Sequence, residues 1–179
     1  MAASSTNKMP LLIDRPLHSF ATIGGTAALS TATNYNSVVG TGCTILVDCT
    51  SNDGAVIDSL SVIANEASTT IAASAAVEVL FFLSLATTQN SVTTANTVCV
   101  ANGSISTTVN LGTRTNIALP CLSVPVPNLG GDTSITEVDK KNTGLYIPSG
   151  AALYVGVQAP IAAPSANTRL HVFAQGGFF

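Results

Sequence analysis

Charge is what this sequence has least of. Only 8% of its 179 residues are Asp, Glu, Lys or Arg, against about 25% in an ordinary soluble domain. Lys and Arg together number 6, too few for the basic stripe that follows a phosphate backbone, so no nucleic-acid partner is expected. Tryptophan is absent and aromatics make up 5%, which counts against sugar stacking. His18 and His171 are the only histidines, and no pair among Cys43, Cys49, Cys99 and Cys121 has C-x-x-C spacing. No zinc pattern follows, and the cysteines read as reduced thiols packed like small apolar residues. Residues 79–113 carry no charge, but Ser, Thr, Asn and Gln interrupt them throughout, so no membrane span is expected. The opening MAASSTNKMPLLID lacks a signal-peptide pattern, and the product is expected to stay in the cytosol of the cell that makes it. Neither a helical period nor a repeat of fixed length is visible.

Ser, Thr, Asn and Ala stand where charge is missing, and hydrophobic residues reach 46% with a net charge of −3. Such a neutral skin offers little resistance to close packing and suits a protein held in an assembly. The length fits one domain, read as residues 21–179, preceded by an extended arm at residues 1–20. Pro10 and Pro16 keep the arm out of helix. Its Leu11, Leu12, Ile13, Leu17 and Phe20 need burial, on this chain's own surface or on a neighbouring subunit. A loose connection follows to residue 37.

The rest reads as eight to ten short strands between turns. CTILVDC (43–49) is β-rich, and Asn52-Asp53-Gly54 supplies a turn. In AVIDSLSVIA (55–64), Leu60 and Val62 alternate but Ile57 is out of phase, so a β-bulge near Asp58 and Ser59 is expected. Residues 75–86 form the most apolar strand, with Val77, Val79, Phe81, Leu83 and Leu85 on one face. Leu80 and Phe82 lie on the other, and an apolar patch of that kind predicts an oligomer interface, which Phe173 is expected to share. Asn102-Gly103 predicts a two-residue type I′ hairpin that pairs Val100 with Ile105. Residues 115–124 are another strand candidate, with Pro120 implying an edge or a break. The charged stretch 128–142 reads as a loop.

Two strands close the chain. Leu153, Val155 and Val157 share one face of the first, after a turn bracketed by Pro148 and Gly150. Leu170, Val172 and Ala174 share one face of the second, while Arg169, His171, Phe173 and Gln175 share the other.

The chemistry on offer is sparse. No G-x-S-x-G or histidine cluster supports a hydrolytic site, and no catalytic residue is assigned. Asp48, Asp53 and Asp58 flank strand ends, where carboxylates either hold a calcium ion or close turns through their own backbone; the turn reading is the commoner. Gly24-Gly25 lacks the Lys that would make a phosphate loop, and Asn102-Gly103-Ser104 matches a glycosylation sequon that the expected hairpin already explains.

Several of these segments resemble a family. IDSLSV (57–62), the apolar strand after it, Leu119-Pro120, GLYIPSGAALYV (144–155) and the terminal LHVFAQGGFF are similar to small β-sandwich structural proteins of tailed bacteriophages. The likeness covers residues 55–179. The run of alternating strands and turns predicts an all-β, antiparallel β-sandwich of jelly-roll type; the likeness is to β-sandwich proteins too and implies no catalytic residues, so neither enzymatic activity nor a cofactor is expected. It also implies a virion role, as a capsid cement (decoration) protein on the outer shell or as a neck or tail fibre or receptor-binding module. The partners implied are the major capsid protein and further copies of the chain, most simply as a homotrimer.

Overall fold

The computed structural model describes residues 14–24, 43–64, 71–72, 77–86, 92–93, 95–105, 108–109, 114–119, 144–157 and 169–179. Every regular element in them is a strand. They are β1 (Arg15–Gly24), β2 (Cys43–Asp48), β3 (Gly54–Ala64), β4 (Ile71–Ala72), β5 (Val77–Ser84), β6 (Thr97–Ile105), β7 (Thr108–Val109), β8 (Arg114–Ile117), β9 (Leu145–Pro148), β10 (Ala152–Val157) and β11 (Arg169–Phe178). All pairings are antiparallel. A five-stranded sheet runs β1-β11-β3-β8, with β9 also pairing β3, and a four-stranded sheet runs β2-β10-β5-β6. The short β4 and β7 pair separately.

One apolar core lies between the two larger sheets. The five-stranded sheet contributes Leu17, Ala21, Ile57, Leu60, Val62, Leu170 and Val172; the other contributes Val47, Val79, Phe81, Leu153 and Val155. The alternation in β10 and β11 thus selects the core faces the sequence predicts. The two closing strands are not paired with each other: β10 is central in one sheet and β11 in the other. Ser19 ties the sheets at one side, its hydroxyl donating to the Leu46 carbonyl.

The bulge in β3 falls where expected. Ser59 is in register with Gln175 and Ile57 with Gly176, so Asp58 is the extra residue. The insertion returns Ile57 to the side of Leu60 and Val62, and all three are buried. Gly176 permits it: a Cβ there would meet the Val56 carbonyl oxygen at 1.9 Å. The chain turns a little earlier than expected, the Asn52 N–H donating to the Cys49 carbonyl at 3.4 Å, and Gly54 opens β3 at φ 131°, a backbone that side chains other than glycine adopt only under strain.

The expected Asn102-Gly103 hairpin does not form. Both residues lie inside the continuous strand β6, with Asn102 in register with Leu80 and Gly103 with Val79. A local turn preference is worth little against a full-length partner, and β5 accompanies β6 from one end to the other. The glycine answers a different need, because a Cβ at Gly103 would meet Ile117 Cδ1 from β8 at 2.2 Å. Other boundaries shift less. Residues 15–20, expected in the extended arm, are the beginning of β1. The 115–124 candidate is realised as β8, and Leu85 lies past the end of β5, exposed. The 25–37 connection, residues 120–124, Cys121 and the 128–142 loop lie outside the described residues.

The bulge glycine gives a stability test. Gly176→Ala should cost about 3 kcal/mol or more in urea unfolding, because backbone must move. Gly103→Ala should cost clearly less, since only the tip of the Ile117 side chain must yield. Equal losses would show that the bulge does not depend on the absent Cβ.

Candidate interaction face

The two sheets treat their outer faces differently. On the four-stranded sheet, Ile45, Tyr154, Phe82 and Cys99 form one cross-strand row. Tyr154, Phe82 and Leu80 pack there with Cys43, Ala86, Val92 and Ala152 in a second apolar cluster. Phe82 is 0% exposed and Leu80 3%. The Tyr154 hydroxyl donates to the Ala86 carbonyl at 3.2 Å, which satisfies its polar end within the cluster. The expectation that Leu80 and Phe82 form an exposed interface is therefore overturned: residues beyond β5 cover them. Leu17 takes the first of its two expected places, on its own chain. It is 2% exposed and faces the core between the sheets.

On the outer face of the five-stranded sheet the described residues range from exposed Phe20 to buried Ser61. Antiparallel pairing of β1 with β11 sets Phe20 beside Phe173, Thr22 beside His171 and His18 beside Gln175. Phe20 is 64% exposed and Phe173 half-buried. Their ring centroids are 6.1 Å apart, and the His171 ring lies 6.2 Å from Phe20 and 6.3 Å from Phe173. Three rings at these spacings and mutual tilts form one aromatic patch.

Hydrogen bonds hold its flanks. Ser59 Oγ donates to Gln175 Oε1 at 3.2 Å, and the Gln175 amide nitrogen lies 3.0 Å from His18 Nε2. On the other side Thr22 Oγ1 and His171 Nδ1 are 3.1 Å apart. In register beyond His171 come Ile63 and then Arg114, and beyond Phe173 come Ser61 and Asn116. The face is thus an aromatic centre between two polar borders, with each imidazole oriented by a neighbouring strand.

Of the interface residues expected from sequence, the structure brings together Phe20 and Phe173, and it buries Leu17, Leu80 and Phe82. Leu11, Leu12 and Ile13 lie outside the described residues. His18, Thr22, Ser59 and Arg114 join the face without having been singled out for it. The β1 signal was present, since His18, Phe20 and Thr22 alternate with Leu17, Ala21 and Ile23. Pro16 and an arm boundary drawn at residue 20 obscured it.

Of the three expected carboxylates, Asp48 closes a turn. Asp48 Oδ1 accepts from the Thr50 backbone N–H at 2.9 Å and from the Thr50 hydroxyl at 2.6 Å. Among the described residues no group of three or more His, Cys, Asp or Glu could hold a metal ion. Cys43 and Cys49 are buried. Burial pushes both thiols up to about 11 from an ordinary value of 9.0, with the Asp48 carboxylate adding to the effect at Cys49 and the Arg15 guanidinium opposing it. Burial also raises Cys99. These are poor nucleophiles at neutral pH.

No family model, curated protein or solved structure matches this chain.

Two measurements probe this division between covered and open faces. Phe82→Ala should destabilise the fold by about 3–5 kcal/mol, whereas Phe20→Ala should stay within about 0.5 kcal/mol for the isolated chain. A large loss for Phe20→Ala in dilute solution would mean that the open face is covered after all. For the thiols the pH sign is definite. Between pH 9 and 11 the unfolded chain loses its thiol protons while the folded chain keeps those of Cys43 and Cys49. The folded state then binds more protons, so thermal stability should fall as pH rises through this window. Cys43→Ala and Cys49→Ala should each flatten that decline.

Proposed function

We propose that this chain is a non-enzymatic virion structural protein, a capsid cement protein that binds the outside of an icosahedral shell and stabilises it. The observation that carries the reading is the open aromatic face of the five-stranded sheet, with Phe20 64% exposed in a chain that is only 8% charged. A solitary soluble domain places charge where this one places Phe, His and Thr. On this reading the two sheets are a β-sandwich of jelly-roll type. Strands adjacent in the chain mostly lie in different sheets, and β1 and β11 lie side by side, as such folds require. The partners are the major capsid protein and further copies of the chain, and the place of action is the capsid surface after synthesis in the host cytoplasm. The resemblance of residues 55–179 to small tailed-phage sandwich proteins supports the same reading.

A second reading is a neck or tail fibre or receptor- or glycan-binding module. The hydrogen-bonded polar border formed by Ser59, Gln175 and His18 beside the rings favours it. Mixing the purified protein with capsids that lack it separates the two. Co-sedimentation that saturates at a fixed number of copies per capsid and raises the temperature of capsid disruption is the expected result. Phe20→Lys should weaken this binding by tenfold or more, on the order of one lost apolar anchor. Signal on a glycan array without capsid binding would overturn the cement reading in favour of the second.

A further inference from the structure

The Phe20 face, taken with the reading above as the one that meets the shell, carries both histidines of the chain. They stand on either side of the two phenyl rings, His18 beside Gln175 and His171 beside Thr22. An imidazole is the side chain that ordinarily changes charge between about pH 5 and 8.

The contacts of His18 fix the place of its proton. The Ser59 hydroxyl donates to Gln175 Oε1 at 3.2 Å, which turns the Gln175 amide nitrogen toward His18 Nε2, 3.0 Å away. An amide nitrogen only donates, so Nε2 accepts, and neutral His18 carries its proton on Nδ1. A second proton, taken up at Nε2, sets donor against donor. The Gln175 amide must then turn over: Oε1 accepts from His18, and the amide nitrogen donates to Ser59 Oγ, which accepts as readily as it donates. Ser59, Gln175 and His18 thus form a relay with one arrangement for each charge state. His171 needs no such change, because Thr22 Oγ1, 3.1 Å from Nδ1, serves either state by rotating its hydroxyl.

Neither imidazole has a counter-ion beside it. His18 is flanked by Gln175, and His171 by Thr22 and Ile63. Among the described side chains, the charged groups around them are Asp58, Asp14, Arg15 and Arg114. Exposed Asp58 is two strands from His18, about 10 Å at sheet spacing, and Asp14 is about 13 Å back along β1. Arg15 is engaged with the Phe178 ring and Asn52. Arg114, beyond Ile63, has the same sign as an imidazolium. The centre between the histidines is Phe20 and Phe173. A surface that covers a charged imidazole there buries a charge without a partner, which costs far more than burying the neutral ring.

We propose that docking of the Phe20 face is switched by pH: the face binds with His18 and His171 neutral, and protonation of the two imidazoles, with turnover of the Gln175 amide, releases it. The bound state holds fewer protons than the free one, so affinity rises with pH through the imidazole range.

Co-sedimentation with capsids that lack the protein tests this at about pH 8 and pH 5. Wild type should bind at least tenfold more weakly at the lower pH. A chain with both His18→Gln and His171→Gln should lose this difference, and each single variant should lose part of it. Titration of the capsid itself is common to all four chains. Wild-type affinity that does not change with pH overturns the proposal, as do single variants that lose as much as wild type. The isolated chain gives a second test without capsids. By nitrogen NMR, neutral His18 should be the Nδ1–H tautomer, and the Gln175 side-chain amide signals should move in step with protonation of His18. An Nε2–H tautomer, or Gln175 signals that ignore the His18 titration, also overturns it. Capsids bound at neither pH, with the Gln175 response intact, would sink the cement reading and leave the relay standing.

Discussion

The fold depends on β10 being dry on both faces. Leu153, Val155 and Val157 enter the core between the sheets, while Ala152 and Tyr154 enter a second cluster on the outside. A strand in that position cannot leave a backbone group unpaired, and β2 and β5 take its two edges. Its two faces also demand two separate covers. The five-stranded sheet supplies the first. Ala86 and Val92 contribute to the second, and the Tyr154 hydroxyl is tied there to the Ala86 carbonyl. The neighbours then follow: Phe82 is buried because it lies in register with Tyr154, and β6 runs through Asn102-Gly103 without turning back because β5 pairs along its whole length.

The opposite sheet lives under a looser constraint. Its inner face closes the core, and on its outer face Phe20 is exposed, with no second layer over it among the described residues. β1 and β11 pair from Arg15–Phe178 to Gly24–Arg169, so residues from opposite ends of the chain alternate across one surface. Burial on one side only is the usual condition of an antiparallel sheet. Aromatic rings on the wet side are less usual. Phe20, 64% exposed, is the most solvated aromatic ring of that face. The imidazoles of His18 and His171, each hydrogen-bonded to a side chain from the adjacent strand, give that surface a set geometry.

Much of this was readable in advance, for a local reason. Period-two alternation assigns side chains to faces wherever one face must be buried, which is why the inner faces of β10 and β11 and the shift at Asp58 agree with expectation. Ile57 could not share a side with Leu60 and Val62 unless one residue were extra, and the register at Gln175 and Gly176 shows that residue. Asn102-Gly103 failed for the converse reason. The pair suits a tight turn, but it also suits a straight strand in which a close neighbour forbids a Cβ, and Ile117 is that neighbour.

Alternation says which side chains share a face and says nothing about whether that face is wet. Phe82 and Phe20 look alike by period, each an aromatic on the side opposite the core. The tertiary structure separates them, burying Phe82 beside Tyr154 and leaving Phe20 exposed beside Phe173. The short-range pattern of the chain decided strands, core faces and the bulge, because backbone geometry and side-chain periodicity act over a few residues. The pairing of β1 with β11, the cover over the four-stranded sheet and the open aromatic face of the other were decided only in three dimensions, because each depends on contacts between segments far apart along the chain, where local preference has no reach.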